Sequence, residues 1–321
     1  MSAQAEFYVP TGGGWSGGGK AVLDCFRFAA ERHPQISFER GAIDIVNRNF
    51  PPKRTRKPFI LIPQNAWPWD GPRYGAQEFA RVAALRVASE IAMRRATGVI
   101  RAGGSIPRRG RCAPGLLPNP LDPGFERALE DSLAICPPVD EPYLVSVGSF
   151  NSYRGFEQLL AAYRRYRSSG ADLALHLVGG GNPRYAARIK GLCQDLPGVT
   201  IHFGGASRPE CLAWLRHAAA AVLPSHVETS PMSLLEALAV QPRVIASEIA
   251  GHRDIVPEGT PHPEYYAVTD SEQLARRLPT SAESRELSHP LAEQEVREAG
   301  RERWSRLLID KLMWITQEGQ E

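Results

Sequence analysis

Residues 220–239 read AAVLPSHVETSPMSLLEALA. Ala220–Leu223 is an apolar run of the length of a buried strand, and Pro224–Ser230 supplies a polar turn. From Pro231 to Ala239 the pattern is helical. Ser230 is an N-cap candidate, and Pro231 occupies the first helical position, where its missing N–H costs nothing. Such a helix directs the backbone N–H groups of Met232, Ser233 and Leu234 out of its first turn, a ready place for a diphosphate. Glu228 precedes the helix and Glu236 lies on its second turn. Two carboxylates beside an anion site repel a phosphate, so their natural partners are hydroxyls. A carboxylate accepts two hydrogen bonds from a vicinal diol such as a ribose or a hexose offers.

Outward from this stretch the pattern repeats. Short apolar runs at Tyr143–Val147, Leu173–Val178, Val199–Phe203 and Val244–Ala246 alternate with helical segments at Gly155–Arg167, Tyr185–Gln194 and Pro209–Ala218. Strands alternating with helices of this length predict a parallel sheet covered on both faces. The first half reads the same way. Strands are expected at Phe7–Val9, Phe59–Ile62 and Gly98–Arg101, and helices at Gly18–His33, Gln77–Arg95 and from Pro123 to about Leu133. Ile135–Pro142, with three prolines, reads as a linker. The expected fold is therefore α/β: two Rossmann-like, doubly wound parallel-sheet domains facing a cleft, the first of them short. The domains run over 1–140 and 141–290, and 291–321 holds a long helix that packs back on the first. Ligands of open sheets sit beyond the carboxyl ends of the strands, so the candidate residues follow each strand.

With 321 residues, 43% hydrophobic and 23% charged, the chain is of the soluble globular class. No apolar window reaches the length of a membrane span, and the start of the chain lacks the pattern of a secretion signal. Five scattered cysteines without a CxxC fit a reducing compartment and exclude a disulfide framework or zinc ribbon. The net charge of +3 is uneven: residues 1–140 hold 19 Lys/Arg against 13 Asp/Glu, and residues 141–321 hold 19 against 22. The excess concentrates in Lys53–Lys57 and Arg108–Arg111, two solvated loops or a basic face for phosphates or an anionic membrane. Without an aromatic-interleaved basic strand or recognition helix, no nucleic-acid partner is expected.

The first strand opens onto TGGGWSGGGK, residues 11–20. Gly12, Gly14 and Gly17 satisfy GxGxxG, a weak match among six glycines in eight residues. Gly14–Lys20 approaches the phosphate-loop pattern, but Ala21 stands where a magnesium-binding hydroxyl belongs, which leaves nucleotide hydrolysis a minor alternative. A glycine-rich turn onto a helix start still lets backbone N–H groups approach an anion or sugar closely. Gly179–Gly181 is a second close-approach loop, and Arg154 is a candidate bidentate cation for the same diphosphate. There is no Asp-x-Asp to hold a divalent cation, no HExxH and no GxSxG. Leaving-group charge then falls to cationic side chains and backbone donors.

The blocks 143–163, 175–183, 199–225, 228–239 and 244–256 resemble, in order and spacing, the donor-binding domain of family 4 glycosyltransferases with the GT-B fold. Two glutamates with seven residues between them, as Glu228 and Glu236 have, are that family's hallmark. The first half resembles the acceptor domain through GGGWSGGGKAV (12–22), PQNAWPW (63–69) and LLPNPLD (116–122). The resemblance implies that Glu228 faces the donor sugar hydroxyls and Glu236 the nucleotide ribose. It also implies that Arg154 stands in for a phosphate-binding lysine, with Ser230 and the N–H groups of Met232, Ser233 and Leu234 at the diphosphate. Gly179, Gly180 and Gly205 would line the nucleotide pocket, and Gly17 and Gly18 would approach from the first domain. Ser149 replaces a usual phosphate-binding arginine, Gln241 and Arg243 replace a usual glycine and proline, and the histidine often found after PQN is missing.

What the resemblance implies is a retaining glycosyltransferase with no metal or other cofactor. It would move a sugar from a nucleoside-diphosphate donor to a glycan or glycolipid in polysaccharide or cell-envelope synthesis. Its expected location is the cytoplasm, with peripheral contact at the inner face of the membrane. The departures motivate an alternative: a catalytically weakened homologue that holds nucleotide or glycan as a partner subunit.

Overall fold

The computed structural model describes residues 6–9, 18–49, 58–70, 76–256, 263–280 and 293–317. The chain divides into two compact units. The first comprises Met1–Gly124, Glu228–Met232 and Arg297–Glu321; the second comprises Phe125–Val227 and Ser233–Val296.

The first unit holds β1 (Phe7–Tyr8), α1 (Gly18–Ala30), β2 (Ile36–Ser37), β3 (Ile43–Val46), β4 (Phe59–Leu61), α2 (Trp67–Asp70), α3 (Ala76–Arg95), β5 (Gly98–Arg101) and β6 (Cys112–Leu116). Its six strands form one parallel sheet in the order β2-β1-β3-β4-β5-β6. The second unit holds α4 (Gly124–Leu133), β7 (Tyr143–Val147), α5 (Phe156–Ser168), β8 (Ala174–Gly179), α6 (Pro183–Leu192), β9 (Val199–Phe203), α7 (Arg208–His217) and β10 (Ala220–Leu223). It continues through α8 (Met232–Val240), β11 (Val244–Ser247), α9 (Ala250–Arg253), β12 (Glu264–Tyr266), α10 (Ser271–Arg277) and the start of α11 (Gln294–Gln317). Its sheet, also parallel, runs β9-β8-β7-β10-β11-β12.

That second order is the doubly wound 3-2-1-4-5-6 arrangement. The direction of winding reverses between β7 and β10, and the crevice at such a switch point is where ligands bind. The strands that flank it are apolar but for Ser146 and Ser247 because both sheet faces are covered: β7, β10 and β11 are buried at every position. Leu144, Val222 and Ile245 of the sheet pack with Phe156, Leu159, Tyr163 and Tyr166 of α5.

Two positions that depart from the family pattern are structural staples. The buried Gln241 donates from Nε2 to the carbonyls of Leu215 and Ala218 at 2.6 and 2.8 Å and accepts from the Arg243 N–H at 2.9 Å. It thereby satisfies carbonyls at the end of α7 that would otherwise be orphaned. Arg243, 7% exposed, pairs with Glu264 of β12 at 3.3 Å.

In the first unit, α11 lays Trp304, Leu308, Leu312 and Ile315 into the core beside Phe26, Ile60 and Ile100. These four recur at steps of four, four and three residues, the stripe one helix face presents. Leu312 is fully buried. Leu312→Ala is expected to destabilise the chain by about 2–5 kcal/mol, read as a fall in the urea midpoint. An unchanged midpoint would show that the helix end contributes nothing to the core.

Candidate functional site

The switch point of the second unit is built by close backbone contact. After β7, residues 148–151 lead into a single 3₁₀ turn, Ser152–Arg154, closed by Gly155 in the left-handed region at φ 69°. A Cβ at Gly155 would stand 1.9 Å from the Pro224 carbonyl oxygen, so only glycine lets the loop after β7 lie against the end of β10. Gly179 does the same one strand over: with φ 149°, its Cβ would stand 2.0 Å from the Gly148 carbonyl. Phe150 N–H donates to Gly180 O at 2.6 Å, and Gly204 N–H donates to Gly179 O at 2.8 Å. The loops after β7, β8 and β9 are thus tied edge to edge, and Gly205 follows in the last of them.

Arg154 is the charge at this point. Its Nε donates to Ser149 Oγ at 3.3 Å and its Nη1 lies 3.5 Å from Ser233 Oγ. Asn151 Nδ2 also donates to Ser149 Oγ, at 3.0 Å. Ser149 therefore helps to hold Arg154. Ser233 is the second residue of α8, so the guanidinium sits at that helix's positive end. A cation is disfavoured at a helix N-terminus by about 0.3–1 kcal/mol. Two positive poles held together are a poor choice for stability and a good one for an anion.

Two further groups here escaped the sequence reading. His252 of α9 is buried; its Nδ1 lies 2.8 Å from Ser247 O and 3.3 Å from Ser247 Oγ, which itself donates to Ser225 O at 2.5 Å. Burial pushes His252 down to about 4, partly offset by the upward pull of the Ser247 backbone hydrogen bond, while the Arg154 charge adds a smaller downward push. At neutral pH it adds polarity and no charge. Arg208, at the start of α7, donates from Nε to Glu236 Oε1 at 2.7 Å, with the two side chains 27% and 14% exposed. A capping box between Ser207 and Glu210 fixes that helix start. The bridge orients the Glu236 carboxylate. Neither residue carries a short-range sequence signal: Arg208 lies 28 positions before Glu236, and His252 is a lone histidine after a strand.

The stretch before α8 belongs with the first unit. Glu228 O accepts from Ser105 Oγ at 2.6 Å and Ser230 Oγ accepts from the Asn119 N–H at 2.7 Å. The helix begins at Met232, one residue later than the sequence suggested, and the Ser230 hydroxyl is engaged by Asn119. Asn119 Nδ2 donates to Gln64 Oε1 at 3.0 Å, and Gln64 Nε2 donates to Asn47 Oδ1 at 2.7 Å. The two first-half motifs, PQN and LPN, thus meet in one ladder of neutral amides beyond β3, β4 and β6. The Glu228 side chain is half-buried, Leu234 packs in the core, and Gly18 is the first residue of α1. Gly17, most of the glycine-rich run and Lys53–Lys57 lie outside the described residues.

Two doubly wound parallel sheets, with a cation at a helix start on the switch point of the second, define the GT-B class of glycosyltransferases. Residues 134–298 match the family described as Glycosyl transferases group 1, and the chain belongs to that family. No curated protein matches it. Solved structures similar to it include a UDP-forming α,α-trehalose-phosphate synthase from Burkholderia xenovorans, with a TM-score of 0.59 at 14% identity, covering 93% of this chain and 79% of that one. A second structure from that organism, in complex with glucose-6-phosphate, has a TM-score of 0.56 at 13% identity, covering 94% and 78%. A sucrose-phosphate synthase from Thermosynechococcus elongatus has a TM-score of 0.56 at 19% identity, covering 93% and 76%.

Proposed function

We propose that this glycosyltransferase moves a sugar from a nucleoside-diphosphate donor to a hydroxyl of a glycan or glycolipid, with retention of configuration and without a metal. One observation carries the reading: Arg154 and the N-terminus of α8 converge beyond β7 and β10. A diphosphate held there has its charge met by the guanidinium and by the N–H groups of Met232, Ser233 and Leu234. Glu228 accepts from the donor sugar hydroxyls, and Glu236, held by Arg208, accepts from the ribose diol. The loops at Gly179–Gly181 and Gly205 give the nucleotide a close backbone wall.

In the transfer step the bond from the anomeric carbon to the departing phosphate oxygen breaks. The acceptor oxygen bonds to that carbon on the same face, and its proton passes to the phosphate oxygen that leaves. Negative charge grows on the leaving group, where preorganised donors act most strongly. The acceptor belongs to polysaccharide or cell-envelope synthesis and is presented at the cytoplasmic face of an anionic membrane. Among the described residues no helix is long and apolar enough to cross one.

The test is nucleotide release from UDP-, GDP- and ADP-sugars with a panel of acceptors in the presence of a chelator. Release from one donor is expected, and Glu228→Ala is expected to lower kcat by about a hundredfold or more. Strict dependence on a divalent ion, or activity indifferent to that substitution, would contradict the proposal. Binding of nucleotide with no release on any acceptor would instead favour the non-catalytic homologue.

A further inference from the structure

Helix α3 turns an apolar face away from its own unit. Val82, Ser89, Ala92 and Met93 are buried. On the opposite side of the helix Ala80, Ala83, Ala84, Val87, Ala88 and Ile91 are exposed, Val87 at 59% and Ile91 at 49%. Phe79, 56% exposed, stands at the margin. A surface helix ordinarily carries its polar residues there, and a contiguous exposed apolar patch marks an interaction site.

Arginines border the patch. Arg81, Arg94 and Arg95 are exposed. Glu90 lies 3.8 Å from Arg86, 3.4 Å from Arg94 and 3.4 Å from Arg109. That carboxylate draws the basic run Arg108–Arg111, flagged in the sequence, alongside the helix. Three guanidinium groups on one carboxylate leave the border positive.

We infer that this face of α3 seats on an anionic lipid bilayer. The inference deepens the membrane contact proposed above and rests on that part of the reading, but it uses no residue of the donor site. A convex helix face about 18 Å long over residues 79–91 suits a planar interface. Apolar side chains enter the headgroup boundary while the arginine tips reach back to phosphates. Charge complementarity selects acidic headgroups over a second copy of this chain, whose α3 would bring the same arginines against each other.

The experiment is sedimentation of the full chain with vesicles of phosphatidylcholine alone or mixed with phosphatidylserine, at low and high salt. Two variants are compared, Val87→Ser with Ile91→Ser, and Arg94→Gln with Arg95→Gln. All four positions are exposed, so the fold is retained, checked by circular dichroism. Expected are binding to the phosphatidylserine vesicles, release by salt, and about a tenfold or greater loss in each variant. Nucleoside diphosphate binding, followed separately by calorimetry, stays unchanged in both, so failure of the membrane reading is distinct from failure of the donor reading. Equal binding to neutral vesicles, no binding to acidic ones, or no loss in the variants would overturn the inference. So would a concentration-dependent dimer abolished by Val87→Ser with Ile91→Ser, or an acidic protein that takes the face in preference to lipid.

Discussion

Arg154→Ala is expected to lower kcat/KM for transfer by about 10²–10³-fold while leaving the melting temperature unchanged or slightly raised. The two halves of that outcome have one cause. The guanidinium lies 3.5 Å from Ser233 Oγ, at the end of α8 that already carries partial positive charge. In the free protein this placement opposes the helix dipole. With a diphosphate bound, the same placement neutralises charge that grows as the nucleotide leaves. Arg154→Lys is expected to recover only part of the rate, because an ammonium supplies a point charge in place of a planar fork. Wild-type transfer by Arg154→Ala, or destabilisation by several kcal/mol, would assign the residue to packing.

The second large effect is on stability in mild acid. His176 on β8 places Nδ1 3.0 Å from His202 Nε2 on β9, and both rings lie against Trp214, with centroids 4.9 and 4.6 Å away. Burial first, then the neighbouring His202 charge, push His176 down to about 4. His252 is also pushed down to about 4. An unfolded histidine titrates near 6.5. Each folded imidazole is therefore held neutral, and its contribution is fully present above pH 6.5. It is lost as the pH falls from 6.5 towards 4, where the unfolded chain binds protons that the folded chain refuses. By pH 5 the loss is about 2 kcal/mol for His252 and, after solvent screening, about 1 kcal/mol for His176, before most carboxylates titrate. Urea unfolding followed by tryptophan fluorescence at pH 7.5 and pH 5 is expected to show the midpoint fall. A midpoint that rises, or holds, over this interval would mean that both rings protonate freely in the folded state.

The second half of the fold was legible because its central strands are buried on both faces. Tyr143–Val147, Ala220–Leu223 and Val244–Ser247 are runs between turn residues that are apolar but for Ser146 and Ser247, and each lies within a residue of its expected bounds. The strands that were missed are short or chemically mixed. Ile36–Ser37 has two residues and Glu264–Tyr266 has three, both at sheet edges. Ile43–Val46 is interrupted by Asp44, and the edge strand Cys112–Leu116 contains Pro114 and Gly115, which argue against a strand in any sequence reading. α3 was found by length and composition, yet its outward apolar face was not, since periodicity alone does not say which side faces the unit.

Of the candidate site, the backbone features were readable and the side-chain partnerships were not. The glycine loops announced themselves because close approach demands that residue type. The Arg208–Glu236 bridge, the buried His252 and the Gln64–Asn119 pairing join residues from different loops, and only the folded chain brings them together.

Calorimetric titration with UDP, GDP and ADP, each beside its monophosphate and with a chelator present, measures most directly whether the switch point of the second unit grips a diphosphate. One diphosphate is expected to bind without a divalent ion, its monophosphate at least about tenfold more weakly, with the difference abolished in Arg154→Ala. Equal affinity for the mono- and diphosphate, or diphosphate binding indifferent to Arg154, would contradict the site described here.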